Sequence, residues 1–223
     1  MADNYLERRM EEYRSQPAEA RRPAVTLERL LRRNRSVRGY DSRFLVRGDQ
    51  LRRIAAVCTK IPSARNRQSL RLRPVLSDEM AKVLPHIRMG GALPELHLPL
   101  PGTEPNACII ICSTVAEDRW IDIDLGIAVQ SMLLQAVEIG LNGLCIGAFD
   151  REAIREAFAL PYDPILILAI GKSLERIELV EVGAGDDLAY YRRDGVHYVP
   201  KIRLEELLLS PVSAESGARS DNL

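Results

Sequence analysis

Lysine is scarce in this 223-residue chain, with only Lys60, Lys82, Lys172 and Lys201 among 31 basic side chains; the rest are arginine. Aromatic residues make up 5% and include a single tryptophan. No zinc-finger or RNA-recognition signature accompanies them, so nucleic acid ranks last among ligand classes. Cys58, Cys108, Cys112 and Cys145 all sit in apolar stretches. They read as buried small hydrophobes rather than as a disulfide framework. His86, His97 and His197 form no ligand motif with them, so no metal site is expected. The opening MADNYLERRM is charged and lacks an apolar h-region, and no uncharged apolar run nears the roughly 18 residues of a spanning helix. The expectation is a soluble, cytoplasmic chain without a signal peptide or a membrane partner. A Walker phosphate loop, a Gly-x-Gly-x-x-Gly fingerprint and a Gly-x-Ser-x-Gly elbow are all missing. The commonest nucleotide-binding and acyl-transfer routes therefore lack support.

What the chain does have is charge, unevenly placed. The formal net charge is zero. Yet residues 1–73 carry 19 Lys/Arg against 8 Asp/Glu, and the remainder carries 12 against 23. Three readings follow. The two portions neutralise each other within a fold or across a dimer, the arginines hold a phosphate-bearing small ligand, or the basic portion binds nucleic acid.

Along the chain, Leu6, Met10 and Tyr13 followed by Pro17 predict an accessory helix within residues 1–22. A second helix is expected from near Thr26, and a third is expected with Asp49 as N-cap and Leu51, Ile54, Ala55 and Cys58 inward, ending at Ile61-Pro62. Strands are expected at 70–76 and at ACIIICS, with a short helix near 79–84 and an irregular Pro/Gly-rich loop over 90–106 between them. The apolar run LGIAVQSMLLQAVEIG predicts a central buried helix ended by Gly140. Paired carboxylates Asp122 and Asp124 stand just before it, and the simpler reading is that one of them caps it. Asp150 is the expected cap of a helix from Arg151 to Phe158, PILILAIG reads as a buried strand, and Asp194-Gly195 as a hairpin turn. Helices and strands do not alternate as regular β-α-β units, so the class is α+β, with helices covering a sheet. Residues 211–223 read as a frayed tail.

Cations, amides and small residues recur at intervals: Arg35, Ser36 and Arg38; Ser63, Asn66 and Gln68; the turn Gly143 to Gly147; Lys201 and Arg203. Each is weak alone. Their order and spacing together resemble the nitroreductase family of FMN enzymes, over roughly residues 25–210. NRSVRGY resembles the family's opening Arg-Arg-Ser-x-Arg motif, and IPSARNRQ its Pro-Ser-x-x-Asn-x-Gln motif. DIDLGIAVQSMLLQAVEIGLNGLCIGAFD is similar to its central helix and following turn, PILILAIGK to its late buried strand, and YYRRDGVHYVPKIRLEEL to the C-terminal segment of one bacterial branch. Two positions depart from the pattern: Asn34 replaces the first Arg, and Ser69-Leu70 replaces the usual Pro-Trp.

The resemblance implies a mixed or antiparallel central sheet between helices and a homodimer with an exchanged C-terminal segment. Joined to the local pattern, it divides the chain into an accessory helix at 1–22, an FMN-binding domain over 23–210 and a tail at 211–223. It also implies FMN at the subunit interface, reduced by NAD(P)H and reoxidised by a small organic acceptor such as a nitroaromatic or quinone, by ping-pong turnover at one site. Arg35, Ser36 and Arg38 then fall on the motif holding the FMN phosphate and the polar edge of the ring, with Lys201 and Arg203 closing on the phosphate. Ser63, Asn66 and Gln68 reach the flavin from the partner subunit. Leu144, Cys145 and Gly147 lie against the isoalloxazine, with a backbone N–H of Gly147 directed at N5. No side chain is required as a catalytic acid, base or nucleophile, because the flavin carries the hydride. His97 is a candidate pocket-lining residue. The rival readings are a reductive dehalogenase or other flavin chemistry within the superfamily, a flavin-binding protein without turnover, and a nucleic-acid binder.

Overall fold

A computed structural model of the chain describes residues 25–91 and 98–210. The expected accessory helix at 1–22, His97 and the tail at 211–223 lie outside the described residues.

ACIIICS forms the most buried strand, β2 (Ala107–Ser113), every residue of which is buried. It lies second in a four-stranded antiparallel sheet with β1 (Leu70–Val75), β3 (Asn142–Ile146) and β4 (Asp163–Gly171), in the order β1-β2-β4-β3. Side chains of successive residues point to opposite faces. Ala107, Ile109 and Ile111 accordingly enter one core cluster, and Cys108, Ile110 and Cys112 the other. Burying one such side chain stabilises the fold by roughly 1.5–3 kcal/mol.

The first face is covered by α2 (Gly48–Ala55) and α3 (Arg119–Glu138), through Leu51, Ile54, Ile121, Met132, Leu133 and Ala136. By length and composition α3 would pass for a membrane span, alone among the described helices; its burial here is that of a core helix. Its cap is neither Asp122 nor Asp124. Asp118 Oδ1 accepts both Trp120 N–H and Ile121 N–H at 2.8 Å, so the helix starts a turn earlier than the apolar pattern suggests. At its other end Gly140, at φ +80°, lets Leu141 N–H reach back to Ala136 O at 2.8 Å.

The second face is covered by α4 (Arg151–Ala157), capped as expected by Asp150, and by two short 3₁₀ turns at Met80–Lys82 and Leu84–His86 where a helix was expected. Pro85 lacks an N–H and cannot continue an α-helical ladder there. The α2 helix also differs from expectation. It begins after Arg47, whose N–H is taken by the Gln50 carboxamide at 3.0 Å, and Asp49 instead pairs with Arg47 inside the first turn. It ends at Ala55 and tapers through a 3₁₀ turn to Thr59. α1 (Leu27–Arg33), capped by Thr26, buries none of its residues.

A second, three-stranded sheet follows, with β5 (Arg176–Val182), β6 (Tyr191–Arg193) and β7 (Val196–Ile202) in the order β5-β7-β6. Asp194 (φ 52°) and Gly195 (φ 73°) make the β6–β7 turn, as their chemistry requires. Within the chain β7 pairs with β5, in parallel. A last helical turn, α5 (Leu204–Leu207), closes the described chain. The class is α+β, a central antiparallel sheet between helical layers.

Candidate active site

β3 is an edge strand, and its outer edge is where the first arginine motif docks. Ser36 bridges Gly143 in parallel, Val37 N–H donates to Gly143 O at 3.1 Å, and Arg35 N–H donates to Asn142 Oδ1 at 3.4 Å. Beyond this contact the segment is clamped from the other side. Asp41 N–H donates to Lys172 O at 2.9 Å, and Leu174 N–H to Gly39 O at 3.1 Å. Tyr40, fully buried, donates its hydroxyl to Val37 O at 2.8 Å, and burial pushes its phenol well above the usual range.

The motif walls a cleft of about 350 Å³, within the size range of small-molecule sites. Asn34, Arg35, Ser36 and Arg38 form one wall, Gln130 of α3 and Cys145 of β3 lie between, and Tyr190, His197 and Lys201 form the other wall. Asn34 donates to Gln130 Oε1 at 3.2 Å, so the residue replacing the expected arginine ties the motif to α3. Arg35 donates from Nη2 to Leu31 O at 2.7 Å; Arg38 donates from Nη1 to Ser36 O at 3.2 Å and lies over the Tyr190 ring at 5.0 Å. Among the described residues each guanidinium's buried Nε–H has no partner. A buried unpaired donor is costly, so two of them beside one cleft could take an acceptor from a ligand. Desolvation also draws the Arg35 guanidinium below its usual range.

The other expected site residues are spread more widely. Cys145 is exposed to the cleft, contrary to the expectation of a buried thiol, because alternation along β3 turns it away from the core that holds Leu144 and Ile146. Desolvation raises its thiol pKa. Leu144 itself does not line the cleft. Gly147, just beyond β3, opens on a second cavity, and a Cβ there would meet nothing within 4 Å. Lys201 lines the cleft, whereas Arg203 turns to Glu206, from Nη2 at 2.7 Å.

Ser63, Asn66 and Gln68 gather in a separate turn that does not line the cleft of their own chain. Gln68 N–H donates to Ser63 Oγ at 3.2 Å, and Gln68 Nε2 to Asn66 Oδ1 at 3.1 Å. Arg65, Asn66 and Gln68 all have φ near +50°, a left-handed backbone that non-glycine residues rarely adopt. Buried Asp124 holds this turn, accepting Ala64 N–H at 2.8 Å.

The motif reading passed over Gln130, Tyr190, His197 and Glu175. A signal for His197 was present. His197, Val199 and Lys201 alternate along β7, which sends all three into the same cleft.

The arrangement defines an α+β sandwich with a cationic ligand cleft along one sheet edge. The family model described as the nitroreductase family matches residues 100–172, which hold β2, α3, β3, α4 and β4. A protein of Methanocaldococcus jannaschii described as a nitroreductase is 30% identical over 57 residues, covering 26% of this chain and 29% of that protein; the chain thus matches well under two thirds of this relative's length. A nitroreductase family protein of Clostridium difficile is 25% identical, with a TM-score of 0.55 over 68% of this chain and 86% of that one. A nitroreductase of Exiguobacterium sibiricum solved in complex with FMN gives a TM-score of 0.56 at 20% identity, over 69% and 91% of the two chains. An NAD(P)H:FMN oxidoreductase of Staphylococcus epidermidis gives 0.55 at 21%, over 71% and 92%. The chain carries the nitroreductase fold, and the family model covers the central helix, the segment after it and the late buried strand, while the motifs at 34–40, 61–68 and 190–207 lie outside the matched residues.

Proposed function

We propose that the chain is an FMN-dependent oxidoreductase that passes electrons from NAD(P)H to a small organic acceptor such as a nitroaromatic or quinone, with both substrates taking turns at one site. The observation that carries this reading is the pair of unpartnered Nε–H groups of Arg35 and Arg38 on a cleft that also holds Ser36 and Lys201. A phosphate with its charge-assisted acceptors satisfies such donors. When bound, FMN supplies the centre that takes up and gives back a hydride. Arg35, Ser36 and Arg38 would hold its phosphate and the polar edge of its ring, Lys201 would close on the phosphate, and the Gly147 N–H would stand near N5, where a Cβ would meet nothing within 4 Å.

The assembly is a cytoplasmic homodimer. Ser63, Asn66 and Gln68, held away from their own cleft, serve the flavin of the partner subunit, and the C-terminal segment beyond β7 is exchanged. Leu204, Leu207, Leu208 and Leu209 are all exposed at the end of the described chain, with Leu27 and Leu31 exposed on α1. Such apolar surface calls for a covering partner. Residues 23–210 make the FMN-binding unit, with an accessory helix at 1–22 and a tail at 211–223. Arg203, paired with Glu206 in the single chain, reaches the phosphate only by leaving that pair.

The purified protein is expected to be yellow and to bleach anaerobically with NADH or NADPH. Arg38→Ala removes a charged hydrogen-bond donor worth about 1.5–3 kcal/mol, so FMN retention falls by roughly one to two powers of ten. Riboflavin, lacking the phosphate, binds both proteins alike, and Arg43→Ala, at an exposed Asp41 pair, leaves FMN affinity unchanged. A colourless protein that takes up no FMN overturns the reading.

A further inference from the structure

The cavity beyond the end of β3 has a volume of about 510 Å³ and is lined by His86, Arg88, Gly147, Ala148, Phe149 and Asp150, among others. Its two sides are locked together through the backbone. Arg88 N–H donates to Ala148 O at 2.9 Å, Asp150 N–H donates to His86 O at 2.9 Å, and Ile87 faces Phe149 in an antiparallel bridge. These contacts fix the Cα of Arg88 beside the Gly147 turn, so its exposed side chain springs from a defined place on the cavity wall.

Arg73, Arg151 and Arg155 each pair with a carboxylate, Glu79, Glu117 and Asp163 respectively. Arg88 pairs with none among the described residues. The acidic residue in the lining, Asp150, turns its Oδ1 to the start of α4, where it accepts Ala153 N–H at 3.0 Å, and makes no ion pair with Arg88.

The cavity's place matters as much as its charge. Cys145 of β3 lies on the first cleft and Gly147, just past the end of the strand, on this cavity, two residues or about 7 Å apart. A ligand with its phosphate at Arg35 and Arg38 and its ring at Gly147 therefore presents that ring to the second cavity. We infer that this cavity is the substrate chamber and that Arg88, with His86 beside it, binds an anionic group on the substrate. The inference rests on the flavin reading above. Two sources share the required chemistry: a carboxylate on an aromatic acceptor, and the diphosphate of the reduced nicotinamide. A guanidinium fork suits either.

The test compares the full-length wild-type protein with Arg88→Ala, a change at an exposed side chain that leaves the backbone clamp intact. Calorimetric titration with benzoate, which cannot be reduced, reads the subsite directly, in the apoprotein and with FMN added. Benzoate is expected to bind the wild type more tightly than benzamide does, and Arg88→Ala to weaken benzoate roughly tenfold while leaving benzamide unchanged. Turnover then separates the sources. A fall in kcat/KM for 4-nitrobenzoate but not for 4-nitrobenzyl alcohol assigns the anion to the acceptor. A rise in the KM for NADH with either acceptor assigns it to the nicotinamide. Equal benzoate affinity in both proteins, or a wild type that prefers benzamide, overturns the proposal. Failure to take up FMN overturns the flavin reading instead, and the benzoate comparison in the apoprotein still reads Arg88.

Discussion

Glu175 and Arg38 meet at 2.6 Å, the carboxylate Oε2 accepting the backbone N–H of a residue 137 positions earlier. The Glu175 side chain is only 11% exposed, and its other oxygen pairs with Arg192 of β6. Arg192 Nε in turn donates to His197 Nδ1 at 3.3 Å. One carboxylate thus joins the arginine motif on one wall of the cleft to the β6–β7 hairpin on the other.

Removing that carboxylate leaves Arg38 N–H and the Arg192 guanidinium without their acceptor. Breaking a buried pair from one side costs on the order of 3 kcal/mol. Glu175→Ala is expected to lower the urea midpoint of the apoprotein accordingly. Glu175→Gln, which keeps an acceptor for the Arg38 N–H, is expected to lose about half as much. An unchanged midpoint in Glu175→Ala would show that the two walls hold together by other means.

Two glycines at opposite ends of β3 respond in opposite ways. A Cβ on Gly143 would stand 2.4 Å from Ala169 O and 2.8 Å from Leu133 Cδ2, and the first of these is backbone that cannot turn aside. Gly143→Ala should cost at least the roughly 1–3 kcal/mol of overpacking. Gly147→Ala meets open space and should stay within about 0.5 kcal/mol of wild type. Thermal melts of the two apoproteins check the contrast; equal losses would refute it.

Asp124 is expected to stabilise the strained 63–68 turn through its acceptor rather than its charge. Asp124→Ala loses the bond to Ala64 N–H, worth about 1.5–3 kcal/mol for a charged acceptor. Asp124→Asn keeps an acceptor for the Ala64 N–H, so it should lose less stability than Asp124→Ala. Amide hydrogen exchange at residues 64–68 gives the local readout, with faster exchange in Ala and near wild-type exchange in Asn.

His197 predicts how stability depends on pH. Burial draws its pKa below the ordinary value; the Glu175 charge opposes this, and Arg192 and Arg38 add to it. The folded state therefore binds this proton less readily than the unfolded chain, whose histidine titrates near 6.5. The contribution is full above that value and is lost as pH falls through it towards the folded pKa. Arg192 Nε–H also loses its acceptor when Nδ1 is protonated. Urea midpoints measured from pH 8 to pH 5 should decline, and His197→Gln should flatten the decline. An identical slope in the variant would assign the acid sensitivity elsewhere.

Much of the scaffold is readable from local pattern. The run at 107–113 has no polar residue until Ser113, so only a central strand suits it, and Asp194-Gly195 supplies the positive φ values of a two-residue hairpin. Local pattern misled where two local solutions compete. Asp118, Asp122 and Asp124 are all acceptable caps in a sequence, and only the packing of α3 shows that Asp118 caps while Asp124 reaches the 63–68 turn.

By itself the sequence determined the α+β class, the buried strands, the hairpin turn and the arginine motif, because period, cap and turn chemistry act over a few residues. Tertiary structure decided what the motif faces. The bond from Arg38 to Glu175 spans 137 positions, that from Asn34 to Gln130 spans 96, and His197 reaches the cleft only because β7 returns alongside β5. Such pairings follow from the closure of the whole core and have no local period. They bring two guanidinium groups, a lysine and a histidine around one cavity, with two Nε–H donors still without an acceptor.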